Sequence, residues 1–290
     1  MLRPLLLGAA FLVTVALAFA TYRAALVFWK QYQDFHPRPE RIGVPPAQGM
    51  LGVVSYRLRG GTEVKGWTLP SANGAAVVFV HGSPGDRRSL LPLAESLHRS
   101  GYGAVLIDIP GHGESAGAAS WDDHALEAVQ EALALAHQQR GVRLAALIGY
   151  SMGSNVAARV AAREPKVRAL VLLAPFTNLA DQLRYQFRHR LAFVSEAAVL
   201  AARFSAVPVD EMRTLEAVRS LGGRPLLIVA GDADGAIPVS MPREIFAAAQ
   251  ERKRLWIVER AGHTDARDIA GPDVFDQRIR AFLDEALLGR

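Results

Sequence analysis

LAALIGYSMGSNVAARVAAR, residues 144–163, changes character at its midpoint. Residues 144–148 are a short apolar run, the pattern of a strand covered on both faces. Residues 152–163 carry apolar side chains at helical spacing, and Pro165 ends them. Gly149-Tyr150-Ser151-Met152-Gly153 makes the turn between the two. So sharp a turn pushes the serine side chain out at the sheet edge, and small residues on both sides let the backbones approach. The helix N-terminus then favours negative charge beside it. A G-x-S-x-G in this setting is the pattern of a nucleophilic serine, Ser151.

The surrounding chain repeats the rhythm. Residues 53–58 and 64–69 alternate apolar and polar side chains across Gly60-Gly61, which predicts an antiparallel hairpin. Residues 75–80, 104–109, 169–173 and 226–230 are further short apolar runs. Helical stretches separate them. Ser89 is placed to cap one that stops at Gly101, and Ser120 with Asp123 forms a capping box for one that ends at Gly141. Strands alternating with helices predict an α/β fold with a mostly parallel, doubly covered sheet. Residues 176–224 are helical in pattern without a strand run, so they are expected to form a small helical lid. Phe176, Leu183, Tyr185, Phe187, Leu191 and Phe193 are its apolar residues, for packing onto the core, for an acyl pocket or for a membrane.

A serine hydroxyl needs a base, and the base needs an orienting acid. Downstream of Ser151 stand His189 and His263. His263 sits in Gly262-His263-Thr264 after the apolar run 255–258, where it can reach over the sheet; His189 lies among arginines in the expected lid. His263 is the candidate base. The acid is Asp232 or Asp234, both directly after the 226–230 run. Asp232 can simply satisfy a turn, and Asp234, three residues before Ile237, is preferred. Backbone N–H groups of Met152 and of Ser83, in the turn His81-Gly82-Ser83-Pro84-Gly85, are the candidate oxyanion donors. His81 is expected to hold that turn. Gly111-His112-Gly113-Glu114-Ser115 reads as a tight turn, since neither phosphate-cradling glycine pattern is present. No spacing suggests a metal site, and no cofactor is expected.

Composition narrows the class. The 290 residues are 50% hydrophobic and 21% charged, which suits one globular domain. The net charge of +5 comes from scattered arginines with no aromatic-interleaved stripe, which argues against nucleic acid as a partner. Cysteine is absent, which excludes disulfides and a thiol nucleophile. Residues 4–22 lack any charge; as a helix they would span about 28 Å, close to the ~30 Å hydrocarbon core of a bilayer. Phe28, Trp29 and Tyr32 are placed for the head-group level. A cleavable signal ending at Ala18-Phe19-Ala20 is the competitor, but the uncharged stretch exceeds an ordinary signal core, and apolar sequence resumes at Ala24. The expected organisation is therefore an N-terminal membrane anchor over residues 1–32, a Pro/Gly-rich linker over 33–50 (Pro37, Pro39, Gly43, Pro45, Pro46, Gly49) and a catalytic domain over 51–290. The charges flanking the span leave the side of the membrane open.

Segments 81–85, 108–115, 149–153, 231–238 and Gly262-His263, in that order, resemble the α/β-hydrolase superfamily over roughly residues 50–287. The N-terminal span, Gly66-Trp67 and the Gly-Tyr-Ser-Met-Gly turn look like its membrane-anchored Bem46-like and ABHD-type members. His-Gly-Ser-Pro-Gly is also similar to the His-Gly-Gly-Pro-Gly of proline iminopeptidases. What the resemblance implies is a serine hydrolase with the triad Ser151, Asp234 and His263, acting on carboxyl esters or thioesters, some of them lipid-like. An aminopeptidase and a non-catalytic binding protein on the same scaffold are the alternatives.

Overall fold

The computed structural model describes residues 2–37, 40–43, 52–119 and 121–290, with the helix but not the side chains of residues 2–10. Ser120, Pro39, Pro45, Pro46 and Gly49, and with them half of the expected linker, lie outside the described residues.

Among the described residues, eight strands form one sheet in the order β1-β2-β4-β3-β5-β6-β7-β8. They are β1 (Gly52–Arg57), β2 (Glu63–Leu69), β3 (Ala75–Val80), β4 (Gly103–Ile107), β5 (Leu144–Tyr150), β6 (Val167–Leu173), β7 (Leu226–Gly231) and β8 (Lys253–Val258). The hairpin β1–β2 is antiparallel, with Val54 opposite Gly66, and β2 runs antiparallel to β4; all later pairs are parallel. Parallel strands need crossovers, and helices supply them: α2 (Leu91–Arg99), α3 (Asp123–Gln138), α4 (Met152–Arg163), α5 (Leu179–Gln186), α6 (Ala192–Phe204), α7 (Thr214–Arg219) and α8 (Ser240–Ala248); α9 (Ala266–Ala270) and α10 (Pro272–Leu283) follow the last strand.

Side-chain alternation sorts the central strands into two cores. Val78, Val80, Leu147, Leu170, Leu172 and Ile228 face α3, α4, α7 and α8. Val77, Phe79, Ile148, Val171, Leu173 and Val229 face α2 and α10. Each strand is apolar along its length because both faces are covered, which is why a continuous run, and not an alternating one, marked it in the sequence.

Two helix starts differ from expectation. Ser89 does not cap α2: Asp86 accepts from the Arg88 N–H at 2.8 Å, capping a 3₁₀ turn over Arg87–Leu90 that feeds the helix. The carboxylate stands upstream and captures the free N–H first. For α3 the cap is Asp122, which accepts from the His124 N–H at 2.9 Å, and the helix ends at Gln138, short of Gly141.

The N-terminal apolar segment is part of one helix, α1 (Leu2–Asp34), 33 residues and about 50 Å long. Phe11–Asp34 is a candidate membrane span by length and composition, with an 18-residue window of mean hydropathy 1.9. The helix continues past the expected anchor boundary because residues 23–34 contain no breaker. Its last turns leave solvent: Gln31 is buried, and Phe35, just beyond, packs in the α3/α4 core.

Candidate active site

The turn between β5 and α4 explains its own sequence. Ser151 has φ 51° and ψ −118°, a strained conformation for a residue with a side chain. A Cβ on Gly149 would come within 2.4 Å of the Gly153 carbonyl oxygen, and one on Gly153 within 2.3 Å of the Val80 and His81 carbonyl oxygens. Both positions therefore require glycine. The turn is fastened to β6: the Ser151 N–H donates to Leu173 O at 2.9 Å, and Ser154 Oγ donates to Gly149 O and Leu173 O at 2.9 and 2.8 Å.

Three loops at the carboxyl end of the sheet converge on this serine. From the loop after β8, His263 Nε2 lies 3.0 Å from Ser151 Oγ. From the loop after β7, Asp234 Oδ2 lies 2.8 Å from His263 Nδ1. Asp234 is 6% exposed, and its other oxygen accepts from the N–H groups of Ala236 and Ile237 at 2.7 and 2.8 Å. With the carboxylate fixed, Nδ1 carries the imidazole proton and Nε2 is left to accept from the serine. Asp232 is not part of this chain; its carboxylate accepts from the Arg260 N–H at 2.6 Å, satisfying a turn. His189 is exposed at the α5–α6 connection.

The loop after β3 brings the third side of the site. Gly82 packs against the serine so closely that a Cβ there would meet Ser151 Cβ at 3.0 Å, which sets Ser83 beside the elbow. Met152 is the first residue of α4, so its N–H has no partner inside the helix. Behind the turn lies a buried polar scaffold. His81 Nδ1 donates to Gly82 O at 2.7 Å and Nε2 accepts from the Ile109 N–H at 3.0 Å, a pattern only the neutral ring can make. Burial lowers the pKa of His81, and lowers that of His112 to about 3. Asp108 accepts from the Arg87 and Glu114 N–H groups at 2.8 and 2.9 Å and pairs with the Arg87 guanidinium, which also pairs with Glu114 and lies over the Trp67 ring.

Sequence reasoning missed two contacts. Tyr150 Oη donates to His263 O at 2.9 Å, tying the histidine loop to the elbow across 113 positions. Burial raises its pKa well above the ordinary value, so it stays a donor. The aromatic residue directly before the serine was the available signal. The second contact joins α1 to the site: Ser83 Oγ donates to Asp34 O at 3.1 Å. Beside His263 opens a cavity of about 390 Å³, lined by Leu90, Leu93, Tyr150, Val229 and Phe275 among others. Of the expected lid residues, Phe176 and Leu183 are buried in the core, whereas Leu191 and Phe193 are 62% and 46% exposed.

Comparison with known proteins agrees with this architecture. Residues 75–200 match the family model described as alpha/beta hydrolase fold. The chain is 30% identical over 292 residues to the uncharacterized protein Rv2307c of Mycobacterium tuberculosis, covering 96% of each chain. Two solved structures share the fold. The Pyrococcus furiosus esterase Pf2001 superposes with a TM-score of 0.71 at 19% identity, over 86% of this chain and 99% of the esterase. A bacterial membrane phospholipase A superposes at 0.60 and 21% identity, over 98% of this chain and 99% of the phospholipase, so the likeness extends to the N-terminal region. By its sheet order, its matched family model and its relative along the whole chain, the protein belongs to the α/β-hydrolase superfamily.

Proposed function

We propose that the protein is a membrane-anchored serine hydrolase that cleaves carboxyl ester or thioester bonds, of the Bem46-like and ABHD type. The observation that supports it best is the hydrogen-bond relay from Ser151 Oγ through His263 to Asp234, at 3.0 and 2.8 Å. In this reading residues 1–32 anchor the chain, residues 51–290 form the catalytic domain and residues 176–224 its lid.

His263 Nε2 takes the Ser151 proton as Oγ attacks the acyl carbon. Asp234 holds the Nδ1–H tautomer and stabilises the imidazolium that forms. The oxyanion of the tetrahedral intermediate is held by the Met152 and Ser83 N–H groups. Its collapse breaks the ester bond, and the leaving alcohol or thiol takes the proton from His263. Water, deprotonated by the same nitrogen, then attacks the acyl-enzyme and releases the acid. No metal or cofactor enters this sequence. The cavity beside His263 is of a size for a short acyl chain or leaving group.

The test is a panel of p-nitrophenyl esters of rising chain length set beside aminoacyl anilides. Ester turnover that exceeds anilide turnover at every chain length is the expected result. Preference for an anilide would replace the esterase reading with the aminopeptidase one.

A further inference from the structure

Helix α6 reads AFVSEAAVLAARF, and Glu196 and Arg203 are its only charged residues. A helix so apolar around its circumference is ordinarily enclosed by protein or by lipid. One side is enclosed, since Val194, Ala198, Ala201 and Ala202 are buried. The other is not. Phe193, Leu200 and Phe204 are 46%, 49% and 69% exposed, and their spacing of seven and four residues lines them up as one stripe about 16 Å long. Two charges border the stripe, and both are paired: Glu196 with Arg184 at 2.7 Å and Arg203 with Asp210 at 3.1 Å. An exposed apolar stripe of this kind marks an interaction surface.

Its place on α1 points to the partner. Phe204 meets Phe28 edge to face, with ring centroids 5.9 Å apart. Phe28 precedes Asp34, where α1 touches Ser83, by six residues, and so lies about 9 Å nearer the uncharged segment. Along α1, Tyr22, Leu26 and Trp29 are 60%, 46% and 58% exposed at helical spacing, a second stripe that runs out of the uncharged segment and ends beside Phe28. Trp29 stacks on Tyr32 at 5.8 Å, the amphipathic pairing of a head-group layer.

We infer that the exposed stripe of α6 is a second contact with the bilayer, with Leu200 and Phe204 seated at the boundary of head groups and acyl chains in the leaflet that α1 enters. The inference rests on the reading of α1 as an anchor. A single spanning helix with its docked domain can still tilt and rotate as a unit in the bilayer, whereas two contacts fix the orientation. The same α1 that carries the tether ends at the oxyanion turn, so the fixed orientation holds the site within reach of the lipid surface. Its substrates are then acyl esters that reside in the membrane.

The chain has no native cysteine, so single labelling sites can be introduced without background. Val15→Cys, Leu200→Cys, Phe204→Cys and Glu251→Cys, the last at the opposite end of the parallel strands, are made in the full chain. Each is labelled with the fluorophore NBD and reconstituted in phosphatidylcholine–phosphatidylglycerol vesicles, with and without brominated acyl chains. Labels at 15, 200 and 204 are expected to shift to the blue and to be quenched severalfold more by bromolipid than the label at 251. Quenching at 15 with none at 200 and 204 overturns the second contact and leaves the anchor standing. A blue shift at 204 without bromolipid quenching assigns the stripe to a second copy of the chain instead. No quenching at 15 removes the anchor reading, and this inference with it.

Discussion

Ser151 keeps its strained φ of 51° because everything around it is closed: glycines on either side and the β6 carbonyl that holds its N–H. Such strain costs about 1–3 kcal/mol and persists only where the surroundings over-determine it. Two positions below β7, Asp232 and Asp234 divide roles by position and not by chemistry. One closes a turn and the other meets His263. Asp234→Asn should therefore lower kcat about 10³- to 10⁴-fold by favouring the wrong imidazole tautomer. Asp232→Asn should leave kcat within severalfold of wild type, and steady-state kinetics on one p-nitrophenyl ester compares them. Equal losses in both variants would contradict the division. Ser151, His263 and Asp234 could be named as candidates from the sequence because each sits in a short motif at a strand end, and the structure brings the three side chains together. The Tyr150–His263 bond had only the aromatic residue before the serine to hint at it, because its partners are distant in sequence and meet only when two loops pack.

At the scale of elements, the β3 and β4 termini carry a buried neutral pair, His81 and His112, whose rings lie 5.1 Å apart. Burial depresses both pKa values, that of His112 to about 3, whereas in the unfolded chain each is about 6.5. Below that pH the unfolded state binds protons the folded state refuses, so stability falls as pH drops and is fully present only above it. For His112 the slope is about 1.4 kcal/mol per pH unit between the two values. Urea unfolding of His112→Gln between pH 6 and 4 should accordingly show a slope shallower than wild type by about that amount. Identical slopes would mean His112 is protonated in the fold. The strands themselves were legible because burial on both faces forces apolar runs. The helix caps were less so, because Asp86 and Ser89 offer rival oxygens within a few residues, and only local geometry selects one.

For the molecule as a whole, α1 binds two parts that the sequence seemed to separate. Phe35 is 3% exposed in the core and Asp34 O accepts from Ser83, so the end of the apolar helix packs directly on the body of the fold. Nothing local announces this, because the contact spans 49 positions. If the first turns of α1 lie in a bilayer, the full chain should stay in the membrane fraction through alkaline carbonate and leave it only with detergent. Release by carbonate alone would contradict the anchor. The serine hydrolase assignment is tested most directly by reaction of the full chain with a fluorophosphonate probe. The wild type should be labelled, and Ser151→Ala, folded to the same thermal midpoint, should not; no labelling of the wild type, or equal labelling of Ser151→Ala, would contradict it.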